Sequence, residues 1–170
     1  MKKLALSIGI IAFALFAQGQ NSAIDKLFAK YSDKEGFTSV SISKAMFSLF
    51  ANENESKDEF NKAIKGLESI RILSLDDTYP KGDINFYKEI TKNLPLKDYE
   101  ELMSTREKNQ VFKMLIRKKG SVITEFLMIG GGDDNVMIAI TGNIDLKTIS
   151  KLSKTLDIKE MDAIEKIDKK

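Results

Sequence analysis

Residues 110–141, QVFKMLIRKKGSVITEFLMIGGGDDNVMIAIT, decide the fold. Three β-rich runs, at 110–117, 121–129 and 135–141, are separated by Lys118-Lys119-Gly120 and by Gly130-Gly131-Gly132-Asp133-Asp134. Both breaks are short and rich in turn formers, so the runs predict a three-stranded antiparallel meander. Strand side chains alternate between faces. In the middle run Val122, Thr124, Phe126 and Met128 fall on one side, and Ile123, Glu125, Leu127 and Ile129 on the other. Both sides are mostly apolar. A sheet wet on one face alternates more cleanly, so this pattern predicts cover on both faces, by the chain's own helices, a partner or a ligand. Val122, Ile123, Phe126, Leu127 and Met128 are the candidate interaction face.

Working outward, Ile24, Leu27, Phe28 and Tyr31 recur at helical spacing and predict an amphipathic helix over 22–32. Thr38, Val40 and Ile42 alternate with serines, the pattern of a strand with one polar face. Residues 44–51 carry Met46, Phe47, Leu49 and Phe50, which predicts a short, largely buried helix. Ser56 with Glu59 forms a capping-box pattern ahead of a helix buried through Phe60, Ala63, Ile64 and Leu67, ending near Gly66. A strand over 69–75, a helix over 83–94 and a helical piece over 97–103 precede the meander. Asp145 opens a last helix through Leu146, Ile149, Leu152 and Leu156. The expected architecture is α+β: an antiparallel or mixed sheet of about five strands, helices mainly on one face, and a terminal meander followed by a helix.

Met1-Lys2-Lys3 followed by the uncharged apolar run Leu4 to Ala17 reads as a signal peptide over residues 1–19, with cleavage after Ala17-Gln18-Gly19. The expected product is one exported, periplasmic domain, residues 20–170, without a stable membrane anchor. Removing Lys2 and Lys3 leaves 25 basic and 25 acidic residues, a neutral balance that gives no global field for a polyanion and argues against nucleic acid. Zero His and zero Cys remove Ser-His-Asp and Cys-His nucleophiles and the ordinary zinc, copper and haem sites. Carboxylate chemistry and oxygen-ligated cations survive that cut.

The loop around Gly131, Asp133 and Asp134 is the one stretch that suggests a phosphate or calcium site. A strand, not a helix, follows it, and the EF-hand ligand spacing is missing, so a wide hairpin explains the same letters. Asn52-Glu53-Asn54-Glu55 and Asp76-Asp77 sit at expected element boundaries, where Asp and Asn serve turns and caps. Arg117-Lys118-Lys119 reads as a solvated hairpin tip. No catalytic, cofactor or metal residue is assigned.

The basic leader, Gln20 at the expected mature start, the step Ile42-Ser43-Lys44-Ala45-Met46-Phe47 and the segment from Val136 to Leu146 together resemble the domain-of-unknown-function 4252 family. The resemblance spans most of the mature chain. It implies a small exported envelope protein of Bacteroidota type, some relatives lying near genes for extracytoplasmic sigma-factor regulation, with no catalytic residue to carry over. Many relatives carry a lipoprotein cysteine, which this chain lacks. The leading expectation is a non-enzymatic periplasmic interaction module with an envelope-protein partner, in stress or sigma-factor signalling. The alternatives are a carrier of a small apolar ligand held near Met46, Phe47, Phe50 and Phe60, and a carboxylate-based enzyme.

Overall fold

The computed structural model describes residues 22–50, 64–80 and 82–145. The leader over 1–19, the Asn52–Glu55 loop, most of the helix expected after Ser56 and the last helix after Asp145 lie outside them.

The order is α1 (Ala23–Tyr31), β1 (Phe37–Ser43), α2 (Lys44–Phe50), β2 (Leu67–Leu75), α3 (Phe86–Ile90), a 3-10 turn (Leu96–Asp98), then β3 (Glu100–Glu107), β4 (Gln110–Lys119), β5 (Val122–Gly131) and β6 (Val136–Ile144). The six strands form one sheet, ordered β1-β2-β6-β5-β4-β3, with every neighbouring pair antiparallel. The expected meander is present, but β3 extends it to four strands. β6 then inserts beside β2, so the two most apolar strands, β5 and β6, take central places where both faces are buried.

Two expectations about the architecture are corrected. The sheet has six strands instead of five, because residues read as a helical piece over 97–103 give only one 3-10 turn before the chain extends into β3. Leu, Met, Glu and Lys favour helix locally, yet pairing with β4 from Glu100↔Ile116 to Glu107↔Gln110 prevails. Helices also lie on both faces. Leu27 and Tyr31 of α1 and Phe86 and Ile90 of α3 pack with Leu73, Leu115, Leu127, Ile129 and Met137. Phe47 of α2 and Ile64 pack with Ile70, Met114, Phe126, Met128, Ile138 and Ile140 on the opposite face.

Local chemistry places these helices. Ser22 Oγ accepts from the Asp25 amide and Asp25 Oδ2 accepts from the Ser22 amide, both at 3.1 Å, closing a capping box at the start of α1. Asp25 also pairs with Arg71 of β2, whose guanidinium lies 5.7 Å from the Phe28 ring centre, so one carboxylate both caps the helix and ties it to the sheet. The helix expected over 83–94 is a single turn and a half, capped by Asn85, whose Oδ1 accepts from the Lys88 amide at 2.8 Å. Asn135, 3% exposed, holds it down. Its Oδ1 accepts from the Phe86 amide at 2.9 Å, its Nδ2 donates to the Gly132 carbonyl at 3.1 Å, and its carbonyl accepts from the Leu75 amide at 3.0 Å.

Candidate functional sites

The candidate interaction face divides between the two sides of the sheet. Phe126 and Met128 join one core and Leu127 the other, all essentially without exposed surface. Strict alternation breaks at Thr124. Against β4 the register passes from Arg117↔Glu125 to Lys118↔Ile123, so Thr124 is an inserted residue, a bulge that turns Ile123 onto the side of Phe126 and Met128. Val122, at the hairpin end, is the member of the five that stays exposed. From Glu125 to Ile129 the side chains on both faces of β5 are therefore buried within the chain itself.

Exposed apolar side chains gather elsewhere. α2, expected to be largely buried, buries Phe47 and leaves Met46 and Leu49 in solvent, 45% and 80% exposed. It lies over β1 and β2 at the margin of the sheet, where the described residues cover it on the Phe47 side. β1 is itself an edge strand with Thr38, Ser39, Val40 and Ser41 exposed. Val40 and Ile42 lie opposite Ile72 and Ile70, in an uninterrupted ladder of seven pairs.

The two edges of the sheet differ in kind. β3 carries Glu100, Glu101, Arg106 and Glu107 and a bulge between Glu101 and Met103, the features that discourage pairing with another strand. Glu101 and Glu100 take ion pairs from Lys113 of β4 and from Lys118. β1, Phe-Thr-Ser-Val-Ser-Ile-Ser, has no charge, proline or bulge.

A buried carboxylate lies under α1. Glu125 stands directly opposite Arg117 across the β4–β5 hairpin, is 4% exposed, and accepts hydrogen bonds from Arg117 Nη2 and from the Tyr99 hydroxyl. The Arg117 guanidinium sits 5.4 Å from the Tyr99 ring centre. Burial, and then the bond to Glu125, push the Tyr99 hydroxyl far above the ordinary tyrosine range. Both carboxylate oxygens are engaged, the arrangement that lets a buried charge persist. A recess of about 590 Å³ opens beside it, lined by Lys26, Leu94, Pro95, Tyr99 and Arg117 among others. A regular hairpin turning at Gly120-Ser121 would set Thr124 opposite Arg117, and only the irregularity at Thr124 brings Glu125 there, so the sequence shows no more than opposite charges near one turn. Arg117 was read only as part of a basic tip, two of whose three cations, Arg117 and Lys118, are in fact ion-paired.

The glycine loop closes the β5–β6 hairpin. Gly132 adopts a φ of 124°, and a side chain there would fall on the Asn109 carbonyl. A Cβ on Gly131 would overlap the Asn85 side chain and approach the Tyr87 amide nitrogen to 2.6 Å. The glycines thus let α3 and the β3–β4 turn close onto this end of the sheet. Asp133 and Asp134 are exposed, and Gln110 fastens the loop by accepting from the Asp134 amide at 2.8 Å and donating to its carbonyl at 3.1 Å. Gly131 also lines a second recess, of about 390 Å³, together with Lys88, Arg106 and Lys108. Those cations escaped sequence reading because they come from separate elements.

Asp76 performs the turn role expected of it, its Oδ1 accepting from the Thr78 amide at 2.8 Å and hydroxyl at 2.6 Å. The recess beside Phe47 measures about 70 Å³, room for water rather than for an organic ligand. Among the described residues no three acidic side chains gather as a metal site, and no helix is long and apolar enough to cross a membrane. Comparison with known families finds one described as Domain of unknown function (DUF4252), matching residues 31–152. No curated protein and no solved structure matches the chain.

Proposed function

The chain belongs to the DUF4252 family, and we propose that it is a non-enzymatic interaction module of the cell envelope that takes a partner's strand onto the free edge of β1. The contrast between the two sheet edges carries this reading. Solvent-exposed edges in monomeric proteins are normally blunted by charge, proline or irregularity, as β3 is. β1 has none of these and offers seven residues in straight register. Strand addition draws affinity from main-chain hydrogen bonds and specificity from alternate side chains. Thr38, Val40 and Ile42 face one way, Ser39 and Ser41 the other. The matching partner strand is uncharged, β-branched on the first side and small on the second. Met46 and Leu49 of α2 add apolar surface near this edge.

On this reading residues 1–19 are an export leader and the contact is periplasmic; the basic start followed by an apolar run supports that location, and the family resemblance supports a setting in envelope stress or sigma-factor signalling. The test is site-specific photocrosslinking in the native host from positions 39 and 41 of β1 and, as control, 104 of β3. The expected result is one discrete adduct from β1, absent from position 104 and lost in Val40→Lys. Equal adducts from both edges, or an adduct indifferent to Val40→Lys, would refute strand addition at β1. A self-adduct would make the second strand another copy of this chain and refute a heterologous partner.

A further inference from the structure

The recess at the glycine-loop end of the sheet gathers three cations from separate elements. Lys88 comes from α3, Arg106 from β3 and Lys108 from the β3–β4 turn, and all three line a cavity of about 390 Å³. Five cations elsewhere are ion-paired, Lys30 with Glu89, Arg71 with Asp25, Lys113 with Glu101, Arg117 with Glu125 and Lys118 with Glu100, and others stand singly on the surface; what sets this recess apart is that three from separate elements line one cavity. None of Lys88, Arg106 and Lys108 has an acidic partner among the described residues, although Glu107 lines the same cavity. Three like charges converging from separate elements repel one another, and that repulsion is relieved by a bound anion.

The surroundings suit a phosphoryl group. Arg106 offers a planar fork of donors and the two lysines offer compact ammonium groups, the combination that reads phosphate oxygens. Asn109 adds an amide side chain, and Gly131 completes the lining beside Asn85 and Tyr87. The volume exceeds that of inorganic phosphate and leaves room for a small organic remainder. We propose that this recess binds a phosphate monoester, with Arg106, Lys88 and Lys108 holding the phosphoryl oxygens. The site lies by the β3–β4 turn, across the sheet from β1, and does not depend on what pairs with that edge.

Calorimetric titration with glycerol 3-phosphate at constant ionic strength, with chloride as the control anion, tests it. The expected result is saturable one-to-one binding with a dissociation constant of about 1 mM or tighter. It weakens at least about tenfold in Arg106→Gln/Lys108→Gln, a loss of the size expected for charge-assisted bonds. Both substitutions are on exposed positions, so an unchanged melting temperature certifies the fold of the variant. Sedimentation with phosphatidic acid vesicles, against phosphatidylcholine vesicles, identifies the source. Binding to vesicles alone, lost in the double variant, makes the ligand a lipid headgroup; binding to glycerol 3-phosphate makes it a free organic phosphate. Absence of saturable binding in both arms, or binding unaltered in the double variant, would overturn the proposal.

Discussion

At the scale of single residues, two polar side chains set how the domain holds together. Asn135 satisfies the first amide of α3 and a carbonyl of the glycine loop from a buried position. Asn135→Ala strands both groups, and urea unfolding should show a loss of about 1–3 kcal/mol. Glu89 accepts from Lys30 Nζ at 2.7 Å and from the Tyr31 hydroxyl. Burial alone would raise its carboxyl, but those two hydrogen bonds outweigh burial and hold it below the ordinary value. A carboxyl lowered on folding stabilises above its unfolded pKa, about 4.3, and that contribution disappears as the pH falls through the folded value. Urea midpoints measured from pH 7 down to about pH 3 should therefore fall more steeply in the native chain than in Glu89→Gln. Parallel curves would show that the triad contributes nothing to acid stability.

At the scale of elements, strong periodicity was legible and edge context was not. α1, β1, β2 and the meander announce themselves by helical or alternating spacing of apolar residues. β3 does not, because an edge strand is half solvated and its charged letters carry little period; only its pairing with β4 makes it a strand. The bulge at Thr124 was invisible for a related reason, since an inserted residue is defined by the register of the partner strand, here β4. α2 shows apolar residues around most of its circumference, yet apolar composition cannot say that a helix will sit at a sheet margin with one side uncovered. Of the candidate site residues, Gly131 was legible as part of a special loop, while Lys88, Arg106 and Lys108 converge only through the fold. The proposed β1 contact makes its own prediction here. Val40→Lys alters a solvent-exposed position on the edge, so it should leave the unfolding free energy within about 0.5 kcal/mol while abolishing the β1 adduct. A large loss of stability would show that Val40 serves the core instead.

At the scale of the whole molecule, the domain is a six-stranded antiparallel sheet buried on both sides, with its two edges treated in opposite ways. The double apolar pattern of β5 led to the expectation of cover on both faces, and the chain buries both. Among the described residues, what remains exposed is the uncharged edge of β1 with the apolar Met46 and Leu49 of α2 near it, and a basic recess beyond β3 and β4. Because β1 carries no charge, protein contact there should be insensitive to salt, whereas anion binding in the recess should weaken as salt rises. Amide hydrogen exchange tests the central claim most directly, measured on the chain alone and on the chain with its crosslink-identified partner. The account predicts that partner binding slows exchange across Phe37–Ser43 by at least about tenfold, the mark of newly formed ladder bonds, and leaves Glu100–Glu107 unchanged. Unchanged exchange in β1, with protection elsewhere, would contradict it.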